Sequence, residues 1–272
     1  VPEGDTIHKT AARLRPALEG RTLVRIELAR GAMSVPKPGT RIEEVSAVGK
    51  HLLVRFADGH VLQTHLRMTG RWDVYRTGET WRRPRHLARA VIEVDDAVAV
   101  CFTAPVVRML HEKRGEVAAA VDHLGPDLCR PDADLDEVVR RMADVDQTRI
   151  VADVLLDQHV AAGIGNVFKS EVLWACGVHP ATPIGCVGEG ERRELVEVAA
   201  RQLRANLSTS RRTTVAGPPG SLAVYQRDRG SCRRCGAPIR AATLGEHRRV
   251  TYWCPRCQQA PDVSSDARPT PS

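Results

Sequence analysis

Apolar residues recur at Ile7, Ala11, Leu14 and Leu18 behind Gly4-Asp5-Thr6, and Gly20 follows. That 3.6-residue spacing, opened by capping residues and closed by glycine, predicts a helix preceded by a very short arm. The pattern then changes: apolar and β-branched runs at 22–28, 52–56, 61–65, 90–94 and 97–102 read as strands, and Asp58-Gly59 and Asp95-Asp96 read as hairpin turns. One helix followed by antiparallel hairpins predicts a β-sandwich, with strand order left open. Beyond Leu124-Gly125-Pro126 the spacing is helical again, over 135–142, 148–156, 170–176 and 191–207. The segment 157–166, Asp-Gln-His-Val-Ala-Ala-Gly-Ile-Gly-Asn, is too long for a tight turn and too glycine-rich for a helix. Gly163 and Gly165 let backbone approach a ligand, and Asn166 opens a helix whose first N–H groups attract phosphate; an ordinary connection capped by Asn166 fits the spacing equally well. Residues 213–221, with Gly217-Pro218-Pro219-Gly220, read as a loop or hinge. The expected organisation is an N-terminal β-sandwich domain at 1–118, a helical domain at 119–216, a small cysteine-bearing module at 222–260 and a disordered polar tail at 261–272.

Charge changes the picture modestly. The net charge of +7 favours a polyanionic partner, because basic groups placed on phosphates release condensed counterions. Only Lys9, Lys37, Lys50, Lys113 and Lys169 are lysine, the remaining basic residues being arginine. Arginine suits forked phosphate contacts, although a GC-rich genome yields the same bias. No apolar run approaches the length that crosses a bilayer, and no secretory leader is evident, so the expectation is a cytoplasmic protein with reduced cysteines.

Cysteine spacing changes it more. Cys232, Cys235, Cys254 and Cys257 read as C-x2-C-x18-C-x2-C among six arginines, while Cys101, Cys129, Cys176 and Cys186 are scattered. Two such knuckles supply a tetrahedral thiolate shell for one structural zinc ion, against the alternatives of disulfides or an iron site. A module this small cannot bury enough apolar surface to fold alone, and the metal contributes about 10 kcal/mol or more.

Six motifs in order carry a resemblance over nearly the whole chain: Pro2-Glu3, Gly49-Lys50, His65-Leu66-Arg67-Met68, Leu124-Gly125-Pro126, Gly163-Ile164-Gly165-Asn166, and Arg249 five residues before Cys254. Together with the zinc ribbon they resemble the formamidopyrimidine-DNA glycosylase and endonuclease VIII family. The start Pro2-Glu3-Gly4-Asp5-Thr6 looks like the actinobacterial members of the endonuclease VIII branch. The resemblance implies a helix-two-turn-helix DNA-binding domain at 119–216 and a zinc ribbon at 222–260. It implies a bifunctional DNA glycosylase and abasic-site lyase of base excision repair, monomeric, acting on double-stranded DNA with damaged bases or abasic sites.

A chain that begins with proline offers a secondary amine with a pKa near 8, a usable nucleophile at cellular pH. The resemblance assigns Pro2 the attack on the anomeric carbon and Glu3 the proton transfers of base loss and elimination. Val1 is then expected to be a translated alternative start codon, removed before proline. Lys50 matches the lysine that approaches the lesion and its phosphate. His65, Asn166 and Arg249 match groups that grip phosphates flanking the extruded nucleotide, and Met68 matches the wedge that fills the vacated stack. On spacing alone these residues also read as a solvated turn, a strand end, a helix cap, an exposed finger residue and core filler. Lys113 and Lys169 are left as surface. Two departures bear on specificity. Val106 and Arg108, expected in a loop over 104–109, stand where the formamidopyrimidine branch has an arginine and a phenylalanine, which favours oxidised pyrimidines. Thr6 stands where the family has a glutamate. Rival readings are a catalytically silent, zinc-dependent protein that binds damaged DNA, and an N-terminal-proline enzyme of small keto acids, which gives the basic zinc module no purpose.

Overall fold

Glu3 sits in extended backbone (φ −122°, ψ −173°) as the N-cap of α1 (Gly4–Leu18), and its side chain makes no capping bond to that helix. The expected start at 4–6 thus lies one step inside the helix. Gly4 can enter the first turn because, lacking a Cβ, it presses against Gly163 and donates its N–H to the Gly163 carbonyl at 2.9 Å. The computed structural model describes residues 2–29, 31 and 34–260; Val1 and the tail expected at 261–272 lie outside them.

The apolar face of α1 buries Ile7, Ala11, Leu14 and Leu18, and each of its three large side chains contributes about 1.5–3 kcal/mol. Eight strands follow: β1 (Arg25–Leu28), β2 (Ile42–Val48), β3 (His51–Phe56), β4 (His60–His65), β5 (Arg71–Arg76), β6 (Ala88–Glu93), β7 (Ala97–Phe102) and β8 (Val106–His111). They form two antiparallel four-stranded sheets, ordered β1-β6-β7-β5 and β2-β3-β4-β8. α1 packs on strands of both, and one apolar core joins Leu14, Phe56, Leu62, Trp72, Ile92 and Ala99. The expected helix-led sandwich is the observed one. Three strands escaped the pattern reading: β2, β5 and β8. The segment 104–109, expected as a loop, is mostly β8, since its β-branched residues pair with β4 in the register His65↔Val106 and Gln63↔Arg108. A short helix, α2 (Glu116–Val121), follows.

The chain packs as two units. The first holds residues 1–134, 157–165 and 203–210; the second holds 135–156, 166–202 and 211 onward. The second contains α3 (Leu135–Asp144), α4 (Val151–Leu156), α5 (Asn166–Cys176), most of α6 (Glu189–Ala205), and the hairpin β9 (Arg240–Leu244) with β10 (Arg249–Trp253). Trp174, Ala223, Val224, Cys232, Ile239 and Cys254 form an apolar cluster within it. No helix among the described residues is long and apolar enough to cross a membrane.

Candidate active site and zinc centre

Within the first unit, Pro2 is half-buried and Glu3 is fully enclosed at 0% exposure. The Glu3 carboxylate accepts the N–H of Gly165 at 3.0 Å. A Cβ at Gly165 would lie 2.4 Å from the Glu3 Cδ, so only glycine leaves room for the acid. The glycine-rich run 163–165 is therefore a cradle for the residue beside Pro2.

Lys50, half-buried, follows Gly49 in the turn between β2 and β3. Gly49 takes a left-handed conformation (φ 56°) and donates its N–H to Asp127 Oδ2 at 2.7 Å. The same oxygen lies 2.8 Å from His8 Nε2 on α1, and Asp127 Oδ1 accepts the N–H of Cys129 at 3.0 Å. Burial alone would raise the Asp127 pKa, but the His8 bond and charge, with the two N–H donors, outweigh it and hold the carboxyl below its ordinary range. Asp127 also bridges in parallel to Ala162. The ionised Asp127 side chain thus ties α1 to the Lys50 turn, and the backbone of the same residue joins the segment leading to the Glu3 cradle. His8, Asp127 and Cys129 also lie close enough to suggest a metal. The carboxylate is already committed to hydrogen bonds, however, and burial keeps the Cys129 thiol protonated, so this cluster is a structural tie.

His65 ends β4 directly opposite His51, their rings edge-on at 5.0 Å between centroids. Burial, then the Lys50 and Arg67 charges, lower the His65 pKa to about 4. Burial and the neighbouring His65 lower His51 to about 4 as well. His65 Nδ1 accepts the Arg67 N–H at 3.2 Å, leaving Nε2 to carry the proton of the neutral ring. The turn that follows is stiff. Arg67 is left-handed (φ 45°), Gly70 donates to the Leu66 carbonyl at 2.8 Å, and Thr69 and Thr103 exchange hydroxyl-to-carbonyl bonds at 3.2 and 2.7 Å. Met68 projects from this turn at 61% exposure, which excludes the core-filler reading. Nearby, Val106 and Arg108 line a groove of about 430 Å³ together with Ala29, Arg89 and Thr103.

Within the second unit, Asn166 begins α5 and donates Nδ2 to the Val250 carbonyl of β10 at 2.8 Å. Arg249, exposed, is the first residue of that strand. Lys169, left as surface in the sequence reading, is buried at 1% exposure and bonds Asn166 and Thr251. Lys113 is exposed as expected. The enclosed Glu171 carboxylate accepts the N–H groups of Ala223, Val224 and Tyr225 at 2.7–2.9 Å and so ties the chain just past the expected hinge at 213–221 to α5.

The sulfurs of Cys232, Cys235, Cys254 and Cys257 all lie within 4.8 Å of one another, with Cys235–Cys254 at 3.4 Å and Cys232–Cys257 at 3.9 Å. A tetrahedral thiolate shell with zinc–sulfur bonds of about 2.3 Å has edges of about 3.8 Å, so the four residues fit one structural ion. Burial opposes ionisation of Cys232, but the Trp174 indole N–H and the N–H groups of Arg234 and Cys235 prevail and bring it to about 6. Outside the shell, Gln258 accepts the Cys254 N–H at 2.9 Å and donates to the Val178 carbonyl at 2.8 Å.

Comparison with known proteins decides the kinship. Residues 1–107 match the formamidopyrimidine-DNA glycosylase N-terminal domain, 124–216 the formamidopyrimidine-DNA glycosylase H2TH domain, and 232–260 the zinc finger found in FPG and IleRS. A probable endonuclease 8 2 of Streptomyces coelicolor is 39% identical over 266 residues, covering 96% of this chain and 95% of the relative. The chain belongs to the formamidopyrimidine-DNA glycosylase and endonuclease VIII family. Another member, a DNA-(apurinic or apyrimidinic site) lyase of Mycolicibacterium smegmatis, is 40% identical over 264 residues, covering 96% of this chain and all of the relative. The family fold extends to a solved complex of the Lactococcus lactis Fpg with abasic-site-containing DNA, at 22% identity and a TM-score of 0.79, covering 95% of this chain and 100% of that one. In this family member the sequence reading missed Asp127, His8, His51 and Lys169. Asp127 directly follows the Leu124-Gly125-Pro126 motif and could have been included with it. The other three had no signal of their own, because their partners lie far away in sequence.

Proposed function

We propose that this protein is a bifunctional DNA glycosylase and abasic-site lyase that excises oxidised bases, pyrimidines by preference, from double-stranded DNA. The observation that carries the reading is the fully enclosed Glu3 carboxylate, fixed against Gly165 beside the N-terminal proline. With Val1 removed, the Pro2 nitrogen attacks C1′ of the damaged nucleotide, its N–H proton is lost and the base departs with a proton; the C1′–O4′ bond then breaks, O4′ takes a proton, and the nitrogen and C1′ are left joined as an iminium. That cation acidifies the adjacent sugar proton, and its removal expels the 3′ phosphate. Glu3, adjacent to Pro2 in the chain, supplies and collects these protons. Lys50, held through Gly49 by Asp127, places a cation for the phosphate of the extruded nucleotide. The neutral Nε2–H of His65, the amide of Asn166 and the guanidinium of Arg249 are the further phosphate donors, while the exposed Met68 fills the gap in the stack. Val106 and Arg108, on a strand edge rather than a projecting loop, favour pyrimidine lesions over a purine opposite cytosine. The zinc shell contributes fold, holding the hairpin that bears Arg249. The working form is a monomer in the compartment that holds the DNA.

Borohydride reduction in the presence of an abasic duplex tests this. Protein starting at Pro2 is expected to give a covalent adduct whose mass lies on the N-terminal peptide, and protein retaining Val1 is expected to give none. Equal adduct from both forms, or an adduct on Lys50, would remove Pro2 from the chemistry.

A further inference from the structure

Lysines rarely lie inside a folded protein, because the ammonium loses its hydration and an apolar residue would fill the space at less cost. Lys169 lies inside at 1% exposure, three residues along α5 from Asn166 and hence on the same face of the helix. Its Nζ donates to Asn166 Oδ1 at 2.7 Å and to Thr251 Oγ1 at 2.7 Å. Asn166 Nδ2 donates to the Val250 carbonyl at 2.8 Å, and the Thr251 hydroxyl donates to the Arg249 carbonyl at 3.1 Å. The result is a closed ring of bonds from the start of α5 to the first three residues of β10 and back.

We propose that Lys169 is a positioning residue that fixes the Asn166 amide and the strand bearing Arg249 in a single phosphate-gripping arrangement. The inference rests on the reading that Asn166 and Arg249 hold DNA phosphates. An ammonium has three donors and no acceptor, so it compels Asn166 to present Oδ1 inward. Nδ2 then faces outward, with one hydrogen on Val250 and the other available at the helix start. The same ammonium adds positive charge at the N-terminal end of α5, where the helix dipole already favours an anion. An unliganded helix gains nothing from a cation there, whereas a bound phosphate does. Thr251, itself 1% exposed, transmits the constraint to the backbone of Arg249.

The test uses the full-length zinc-loaded protein and a duplex containing a stable tetrahydrofuran abasic analogue, with Kd measured by fluorescence anisotropy across a salt series. Lys169→Met is expected to weaken binding about tenfold, with the slope of log Kd against log salt unchanged, because Lys169 releases no counterion itself. Arg249→Ala is expected to lower that slope by about one. Lys169→Arg is expected to recover most of the affinity, and Thr251→Val to cost about threefold, a milder change that keeps the test open if Lys169→Met fails to fold. Unchanged Kd in Lys169→Met and Thr251→Val with only a lowered Tm would make the lysine merely structural. A slope reduced by about one in Lys169→Met would make it a direct contact. Either result overturns the proposal. Full affinity in Asn166→Ala and Arg249→Ala would instead refute the grip beneath it.

Discussion

The phosphate contact proposed for His65 needs a donor on a neutral ring, and the Arg67 N–H bond to Nδ1 leaves Nε2 to be that donor. The neutrality has a cost in acid. With ordinary pKa values near 6.5 and folded values of about 4, His51 and His65 bind protons in the unfolded chain before they do in the folded one. Their contribution is complete above about pH 6.5 and is lost as the pH falls toward 4. Urea midpoints are therefore expected to drop across that window, and the double variant His51→Gln with His65→Gln is expected to flatten the drop. Lys169 shows the limit of residue-level reading. Its letter implies a solvated side chain, and only the fold, which brings Thr251 to α5, reveals why it is inside.

Between elements, Asp127 is the tie with the most depending on it, since its two oxygens hold α1, the turn before Lys50 and the Cys129 N–H, while its backbone bridges to Ala162 beside the Glu3 cradle. Asp127→Asn removes the charge and leaves one oxygen for three donors. It is expected to cost about 2 kcal/mol in urea unfolding and to slow strand cleavage through displacement of Lys50. The elements themselves were legible where one face is buried: α1, β3, β4, β6 and β7 coincide with the expected runs to within a few residues. β2 and β5 were not, because charged residues interrupt them. Arg71 is held by Asp73, Glu44 by Arg55, and a bulge at 42–44 breaks the alternation. For β8 the cause is different. Its residues are intermediate or exposed throughout, so hydrophobic period has nothing to report, and pairing with β4 alone makes it a strand. The glycine cradle was legible as a motif, but its purpose was not until Glu3 lay against Gly165.

At the scale of the whole molecule, the chemistry is assigned to one unit and the zinc-held hairpin to the other, so metal removal separates fold from catalysis. The metal contributes about 10–16 kcal/mol to a ribbon with little core of its own. A strong chelator at neutral pH is expected to release one zinc per chain, change the emission of Trp174, whose indole N–H donates to Cys232 Sγ at 3.4 Å, and abolish DNA binding; added zinc restores all three. The net charge of +7 acts over the same scale by drawing DNA in at low salt without choosing a lesion. Lysine scarcity has a practical side. Of five amines on side chains, Lys169 is enclosed, Lys9 pairs with Asp5 at 3.3 Å, and Lys37 and Lys113 lie in the open. Acylating reagents therefore give few products, with the exposed Lys37 and Lys113 as internal references, and mass-spectrometric footprinting of Lys50 against them, with and without duplex, becomes a direct gauge of how fully DNA covers the turn between β2 and β3.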